Sequence, residues 1–341
     1  MCKLLRILLA ASVFGTIVSG SPAPKPKVKT VSINCNNIKE IRIDDEKVKS
    51  VSIGITEPTY DALFHDDKII LRFRNSITAF DLASGDSLFS FSRKGRRDDE
   101  FTSIRDAWLV GDVLELYDFD SAKILQFDVR TGSFLNVVKN NEFIRGRFSS
   151  MERDSKNHRF IVEKTYNPAD NNSALAEYDD SHHFVRNIKS PSKKSGFFLS
   201  SSSIILSETG RILYHEPFKS VIYEVNGLNL VPEYSIDFGN RNLPKSFAEG
   251  EGGKAMKFWM ENQDKYAVVM NVIESKDALY IDYVFSKVGF LAKFDRSEGT
   301  AQVYKFAPFG GRFAYNAGTV FVISHENNGT TIYKIPESDL R

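Results

Sequence analysis

Residues Ile77–Leu88 (ITAFDLASGDSL) and Ile124–Leu135 (ILQFDVRTGSFL) share one pattern: an apolar stretch ending in Phe-Asp, two variable residues, Ser or Thr, Gly, and a return to apolar residues. An Asp at that position can accept hydrogen bonds from backbone N–H groups of the turn that follows, and the Gly takes a positive φ at no steric cost. The pattern therefore predicts strand, tight turn, strand. Its recurrence 47 residues apart predicts a repeated unit rather than an isolated hairpin. Looser copies stand at Tyr178-Asp179, Tyr223-Glu224 and Phe294-Asp295.

Between the two clear copies, Ala107–Val110, a Gly111-Asp112 turn and Val113–Tyr117 form another alternating hairpin. Four strands then fit in roughly 45 to 50 residues, the size of one β-propeller blade. Arg159–Val162, Ala174–Tyr178 and His183–Ile188 read as a further blade, and Ser203–Leu206, Ile212–His215 and Val221–Val225 as another, the latter with an Asn226-Gly227 turn. Strands resume at Tyr266–Ile273, Ala278–Phe285 and Gly289–Phe294 and end with Thr319–Ile323 and Thr331–Ile335. The expected fold is all-β: a six-bladed β-propeller of four-stranded antiparallel blades spanning 31–341 as one domain. Two stacked β-sandwiches would not require the four-strand rhythm. One short helical insert is expected near 246–263, beginning close to Lys254 because Gly250, Gly252 and Gly253 weaken its start. An open ring would leave an unpaired edge, so a strand near Val31–Ile43 is expected to join the sheet built by Thr319–Ile335.

The bulk numbers agree with a folded, export-directed chain. Its 341 residues are 42% hydrophobic and 26% charged, which are globular values, and the 27 Phe and 13 Tyr favour strands. A net charge of +1 gives no electrostatic case for nucleic acid. Lys3 and Arg6 precede an apolar run at Ile7–Val18 and a small-residue site at Val18-Ser19-Gly20, so residues 1–20 read as a signal peptide. The Pro/Lys-rich segment 21–30 reads as an extended spacer. The apolar run is short for a bilayer span, and an uncleaved N-terminal anchor is the rival reading. With Cys2 removed, Cys35 has no partner for an intrachain disulfide, and Ser21 at the expected cut argues against a lipid anchor. The expectation is an exported protein, periplasmic, envelope-associated or extracellular, without a transmembrane span after cleavage, and monomeric.

Three segments carry a family likeness. Phe91–Phe101 keeps Gly95, Glu100 and Phe101 of a Gly-x-Gly-Pro-Gly-Glu-Phe loop but has Arg97, Asp98 and Asp99 where Gly, Pro and Gly would stand. Pro232–Pro244 (PEYSIDFGNRNLP) is close to Tyr-x-x-Asp-Phe-Gly followed by Leu-Pro, and the helical insert after Pro244 returns to a strand at Tyr266. In these the chain resembles the secreted and lipid-anchored six-bladed propeller proteins of Bacteroidetes, relatives of the TolB/NHL-type propellers. The resemblance implies blade architecture and an exported setting, and brings no catalytic residues with it.

Chemistry-bearing motifs are sparse. Of the six histidines only His182-His183 are adjacent, and neighbours on a strand point to opposite faces, so histidines read as surface or turn residues. Asp118-Phe119-Asp120 and Asp44-Asp45-Glu46 lack the later Glu and central Gly of a calcium loop and read as turn caps. No Gly-x-Ser-x-Gly is present. No catalytic residue, metal ligand or cofactor is therefore assigned. The most distinctive polar stretch is Arg93–Glu100 (RKGRRDDE), expected in an inter-blade loop at the channel mouth, where Arg96, Arg97, Asp98 and Glu100 are the candidate ligand or partner contacts. Trp259 on the helical insert is the fifth candidate, while Trp108, in a strand, reads as core. The expected function is a binding or scaffold module for a protein or glycan partner; the alternative is a propeller hydrolase or lyase with an axial metal.

Overall fold

A computed structural model describes residues 28–43, 48–139, 148–154, 156–164, 173–189, 203–216, 218–248, 252–307, 311–326 and 329–340. The expected signal peptide, nearly all of the spacer and Asp44-Asp45-Glu46 lie outside the described residues. The chain opens with three separate strands, β1 (Lys29–Ser32), β2 (Ile38–Arg42) and β3 (Lys49–Ile53). Blade 1 follows as β4 (Asp61–His65), β5 (Lys68–Arg72), β6 (Ile77–Asp81) and β7 (Ser87–Phe91). Blade 2 is β8 (Ile104–Val110), β9 (Val113–Asp118), β10 (Lys123–Asp128) and β11 (Phe134–Val138). Blade 3 is β12 (Phe148–Asp154), β13 (Arg159–Lys164), β14 (Ser173–Asp179) and β15 (Phe184–Lys189). Blade 4 is β16 (Ile204–Leu206), β17 (Ile212–His215), β18 (Val221–Asn226) and β19 (Asn229–Asp237). Blade 5 is β20 (Val268–Glu274), β21 (Ala278–Phe285), β22 (Val288–Asp295) and β23 (Thr300–Ala307). Blade 6 holds β24 (Arg312–Asn316), β25 (Thr319–Glu326) and β26 (Gly329–Pro336), and takes β3 as its fourth strand. The result is a six-bladed propeller of four-stranded antiparallel blades.

The middle strands of each blade are apolar on both faces because each blade is packed between two others. On β5, Ile69 and Leu71 belong to the core shared with blade 6, whereas Ile70 belongs to the core shared with blade 2. On β9, Leu114 and Leu116 face blade 1 and Tyr117 faces blade 3. The same alternation builds the seams between blades 3 and 4, 4 and 5, and 5 and 6. Period-two alternation thus turns runs such as Ile69–Leu71 into two half-cores, and the seam between blades 6 and 1 closes the ring.

Ring closure differs from the expectation. The strand that joins β26 is β3, in antiparallel register from Thr330–Ile53 to Lys334–Lys49. The Val31–Ile43 stretch instead supplies β1, which adds in parallel to β19 outside blade 4, and β2, which adds in parallel to β23 outside blade 5. The physical reason lies in the edges. Blades 4 and 5 already have four strands, and their outermost edges take a fifth, with Val31 and Ile33 entering the seam between them. Only blade 6 lacks a strand of its own.

The repeated turn is seen atom by atom. Asp81 Oδ1 accepts from the N–H groups of Ala83 (2.9 Å) and Ser84 (2.7 Å), and Asp128 Oδ1 from those of Arg130 and Thr131 (both 2.9 Å). Asp179 and Asp295 cap equivalent turns between the third and fourth strands of blades 3 and 5. These bonds hold the Asp81, Asp128, Asp179 and Asp295 carboxyls below the ordinary carboxylate range, led by backbone N–H groups except at Asp128 and Asp295, where the Thr131 and Ser297 side chains lead. Blade 4 departs from the expected copy: Glu224 sits within β18, paired across to Val231, and the turn is formed at Asn226-Gly227. The glycine has a second duty. A Cβ on Gly132 (φ 69°) would stand 2.7 Å from the Phe89 ring of blade 1, so the turn of one blade needs a bare backbone to lie on its neighbour.

Between β19 and β20 the chain makes a short 3₁₀ turn at Gly239–Arg241 and two helices, α1 (Lys245–Ala248) and α2 (Gly252–Glu261). The insert falls where expected, although α2 begins at Gly252, two residues before Lys254. Phe247 stacks on Phe258 at 3.7 Å, and Trp259 packs with Phe218 and Val268.

Candidate functional site

In this architecture the first strand of each blade lines the axis, and the inter-blade connections gather at one face with the turns between second and third strands. At that face, β4 opens with Asp61, β5 ends with Arg72, and β8 and β12 contribute Asp106 and Glu152. Bulges at Ile104/Asp106 and Phe148/Ser150 shift the register of both inner strands beside these acids, the kind of irregularity that re-aims a side chain.

Arg72 is 6% exposed and its guanidinium donates to the carbonyls of Ile104 (3.3 Å) and Tyr60 (3.5 Å), spanning blades 1 and 2. It lies 3.8 Å from the Asp61 carboxylate and 5.7 Å from the centre of the Tyr60 ring. Its Nε is buried with no hydrogen-bond partner among the described residues. Asp106 spans the next seam by accepting from the Met151 N–H at 3.0 Å. Burial pushes the Asp106 carboxyl up to about 6, the Asp61 charge adds to this, and Arg72 offsets part of it. Glu152 is driven well above the ordinary range by burial first, then by Asp106 and Asp61. Three carboxyls from three blades therefore gather here, Asp61 raising the affinity of the other two for protons, and the Arg72 charge offsets part of this at Asp106.

Between blades 5 and 6, Asp282 on β21 is pushed up to about 7 by burial, with Arg312 pulling the other way. Among the described residues its carboxylate makes no hydrogen bond or ion pair. Chemically, these groups can hold or release a proton near neutral pH and offer both donors and acceptors to a ligand. Among the described residues, no three His, Cys, Asp or Glu side chains are grouped so that they could hold a metal ion.

The sequence candidates sit beside this cluster and elsewhere. The loop between β7 and β8 carries Arg96, Arg97, Asp98 and Glu100, as expected for an inter-blade connection, and is pinned by a bridge between Lys94 and Phe101. The structure brings Arg97 and Glu100 together: the Arg97 N–H and Nε both donate to the Glu100 carboxylate, at 3.0 and 2.7 Å. That carboxylate also lies over Gly95, where a Cβ would fall 1.9 Å from Oε2. Asp98 pairs with Lys139, Arg93 with Asp99 at 3.1 Å, and the Lys123 ammonium donates to the Arg97 carbonyl at 2.5 Å. Fully buried Asp118 accepts from the N–H groups of Thr102 (3.0 Å) and Ser103 (3.1 Å), tying the loop to blade 2 and confirming a cap at this position. Arg96 is exposed, and no side-chain hydrogen bond or ion pair holds it among the described residues. Trp259 is 8% exposed at the seam of blades 4 and 5, so the structure does not bring it to the loop.

One histidine differs from the surface-or-turn reading: His215 is buried in β17, bonded to the Lys219 carbonyl at 2.9 Å; His182 lies in the turn after Asp179, buried there against Phe160 at 4.8 Å. Trp108 is core, donating to Glu115 at 2.6 Å. Sequence reasoning missed Asp61, Arg72, Asp106, Glu152 and Asp282. For Asp106 and Asp282 the signal was a charge inside a largely apolar strand, IRDAWLV and ALYIDYVF, whereas Asp61 and Arg72 stand at strand ends and Glu152 in the polar strand FSSMERD, which gave none.

Fold and site together define a six-bladed propeller with an ionisable cluster at one end of its axis. The chain belongs to the family described as domain of unknown function DUF4934, which it matches over residues 55–340. No curated protein matches it. Among solved structures it is similar to an inferred exported protein of Bacteroides fragilis, with a TM-score of 0.70 at 12% identity over 90% of this chain and 99% of that one. It is also similar to a DUF4221-family protein of Bacteroides vulgatus, with a TM-score of 0.60 at 8% identity over 85% and 96%. The β-propeller domain of Cps50 (Swd1) from Myceliophthora thermophila shares the fold at a TM-score of 0.51 and 9% identity over 83% and 98%. At these identities the likeness is one of fold. No helix among the described residues is long and apolar enough to cross a membrane.

Proposed function

We propose that this propeller is an exported binding module whose ligand docks at the axial end bearing the inter-blade loops. The observation that carries this is the gathering of Asp61, Asp106 and Glu152, from the inner strands of three blades, close enough that Asp61 raises the affinity of the other two for protons, with Arg72 3.8 Å from Asp61. A carboxyl buried without a full set of partners costs stability, and such costs gather where a ligand supplies the missing contacts. The excess of acid over base fits a ligand presenting hydrogen-bond donors, hydroxyl or amine, as an amino-sugar oligomer does. Arg96, exposed and uncommitted on the adjoining loop, would meet the ligand's outer part, with Arg97, Asp98 and Glu100 holding the loop in shape. Export is supported by the sequence of residues 1–20 and by the Bacteroides fragilis protein of like fold.

Calorimetric titration with glucosamine tetramer, maltotetraose and galacturonate tetramer tests the reading. The expected order of affinity is glucosamine first and galacturonate last, with loss of binding in the Asp106→Asn/Glu152→Gln protein. Equal affinity for all three, or binding indifferent to the double substitution, would count against it. The raised Asp106 and Glu152 carboxyls also favour a second reading, in which the same groups serve as general acid and base in a hydrolase or lyase. Product release from the glucosamine tetramer, followed by chromatography, distinguishes the two.

A further inference from the structure

A cavity of about 290 Å³ opens at the seam of blades 4 and 5, between the turn that precedes β18, the end of β19, the start of β20 and the residues leading into α1. Its volume is near the lower end of the ~300–1,000 Å³ usual for small-molecule pockets. One part of the wall is apolar, with Phe218, Ile236 and Val269 buried there. The rim is cationic: Lys219 and Lys245 both line the cavity, and among the described residues neither ammonium has an ion-pair or hydrogen-bond partner. The one carboxylate in the wall, Asp237, is already engaged by the Gly239 N–H at 2.8 Å and by Asn242 Nδ2 at 2.5 Å. Those donors are neutral, so Asp237 keeps its charge, and the two lysines leave the rim one positive charge in excess over an apolar wall.

A second observation marks the same place. Phe218 holds φ at 65°, in the left-handed region that a bulky side chain rarely adopts. The turn is closed by the Lys219 N–H bonded to the Glu216 carbonyl at 3.1 Å, and the Phe218 ring is 5% exposed, 6.3 Å from the ring of Trp259. Backbone strain held by surrounding packing gathers at binding sites. Here it fixes Phe218 as a wall of the cavity and Lys219 at its rim.

From this geometry we infer that the seam of blades 4 and 5 is a second binding site, for a small organic anion with an apolar body and a carboxylate head. The body packs on Phe218, Ile236 and Val269, and the head meets Lys219 and Lys245 at the rim. The site is independent of the axial cluster, and its failure would leave that reading untouched.

Titration calorimetry of the full chain with octanoate, octanol and octylammonium tests the inference. Octanoate is expected to bind saturably, and the two other probes at least about tenfold more weakly, because only the carboxylate answers the lysines. Lys219→Gln/Lys245→Gln should weaken octanoate by about tenfold or more, and Ser220→Trp, at an exposed position on the rim, should block it. Ser220 and Lys245 are exposed and Lys219 is half-buried, and an unchanged melting curve checks that each variant is folded. Octanol binding as tightly as octanoate, indifference to the lysine changes, or no saturable heat from octanoate would each overturn the inference.

Discussion

Asp282 shows what one unpartnered carboxyl does to the fold. Its folded-state value of about 7 stands above the ordinary 3.8, so the fold prefers the neutral acid. The penalty is absent well below pH 4 and grows as pH rises from there to 7, the opposite sense to a salt-bridged aspartate. Asp282→Asn should therefore match the parent chain at pH 4 and exceed it at pH 8 by about 1–3 kcal/mol in urea unfolding. Equal stability at pH 8 would mean that the carboxylate is better solvated than its surroundings imply. At this scale the sequence was uneven. Asp81 and Asp128 were readable as turn caps because donor and acceptor lie within three residues. Asp106 and Glu152 were not, because their strands are brought side by side only by the packing of blade 2 on blade 3. The Arg93–Glu100 stretch could be placed in its connection, but its pairing of Arg97 with Glu100 over Gly95 depends on the loop's fold.

The hairpin turn is the element on which the blades are phased, and its glycines separate two effects that sequence alone merges. Gly227 has φ 59° with nothing within 4 Å of an added Cβ, whereas Gly132 has φ 69° and meets Phe89 at 2.7 Å. Gly227→Ala should cost about 1 kcal/mol, the price of left-handed backbone alone. Gly132→Ala should cost about 2–3 kcal/mol, since it also displaces a neighbouring blade. Chemical denaturation of the two variants measures the difference, and equal losses would remove the inter-blade contact from the account. The hairpins were legible because Asp, Gly and alternating apolar residues act locally. The N-terminal strands were assigned to the wrong partner because a short alternating strand states that it needs an edge, not which one. Val31 and Ile33 fit the seam of blades 4 and 5, and Val51 and Ile53 fit that of blades 6 and 1.

Across the whole molecule, closure and edge protection are distinct jobs done by consecutive strands. A chain beginning at residue 48 keeps β3 and should fold, with a lowered melting temperature because blades 4 and 5 lose β1 and β2. A chain beginning at residue 54 leaves blade 6 with three strands and should lose its cooperative transition. Calorimetric melting of the two truncations tests this, and two similar transitions would refute a closing role for β3. The axial cluster belongs to this scale too, since the ring alone brings the acids of three inner strands within reach of one another. Carboxyl carbon NMR of the Asp106 and Glu152 side chains, followed across pH with and without glucosamine tetramer, tests that site most directly. The prediction is an Asp106 midpoint near the value of about 6 expected from its burial, a Glu152 midpoint also above the ordinary range, and a downward shift of both when the tetramer is added. Midpoints in the ordinary carboxylate range that ignore the tetramer would contradict it.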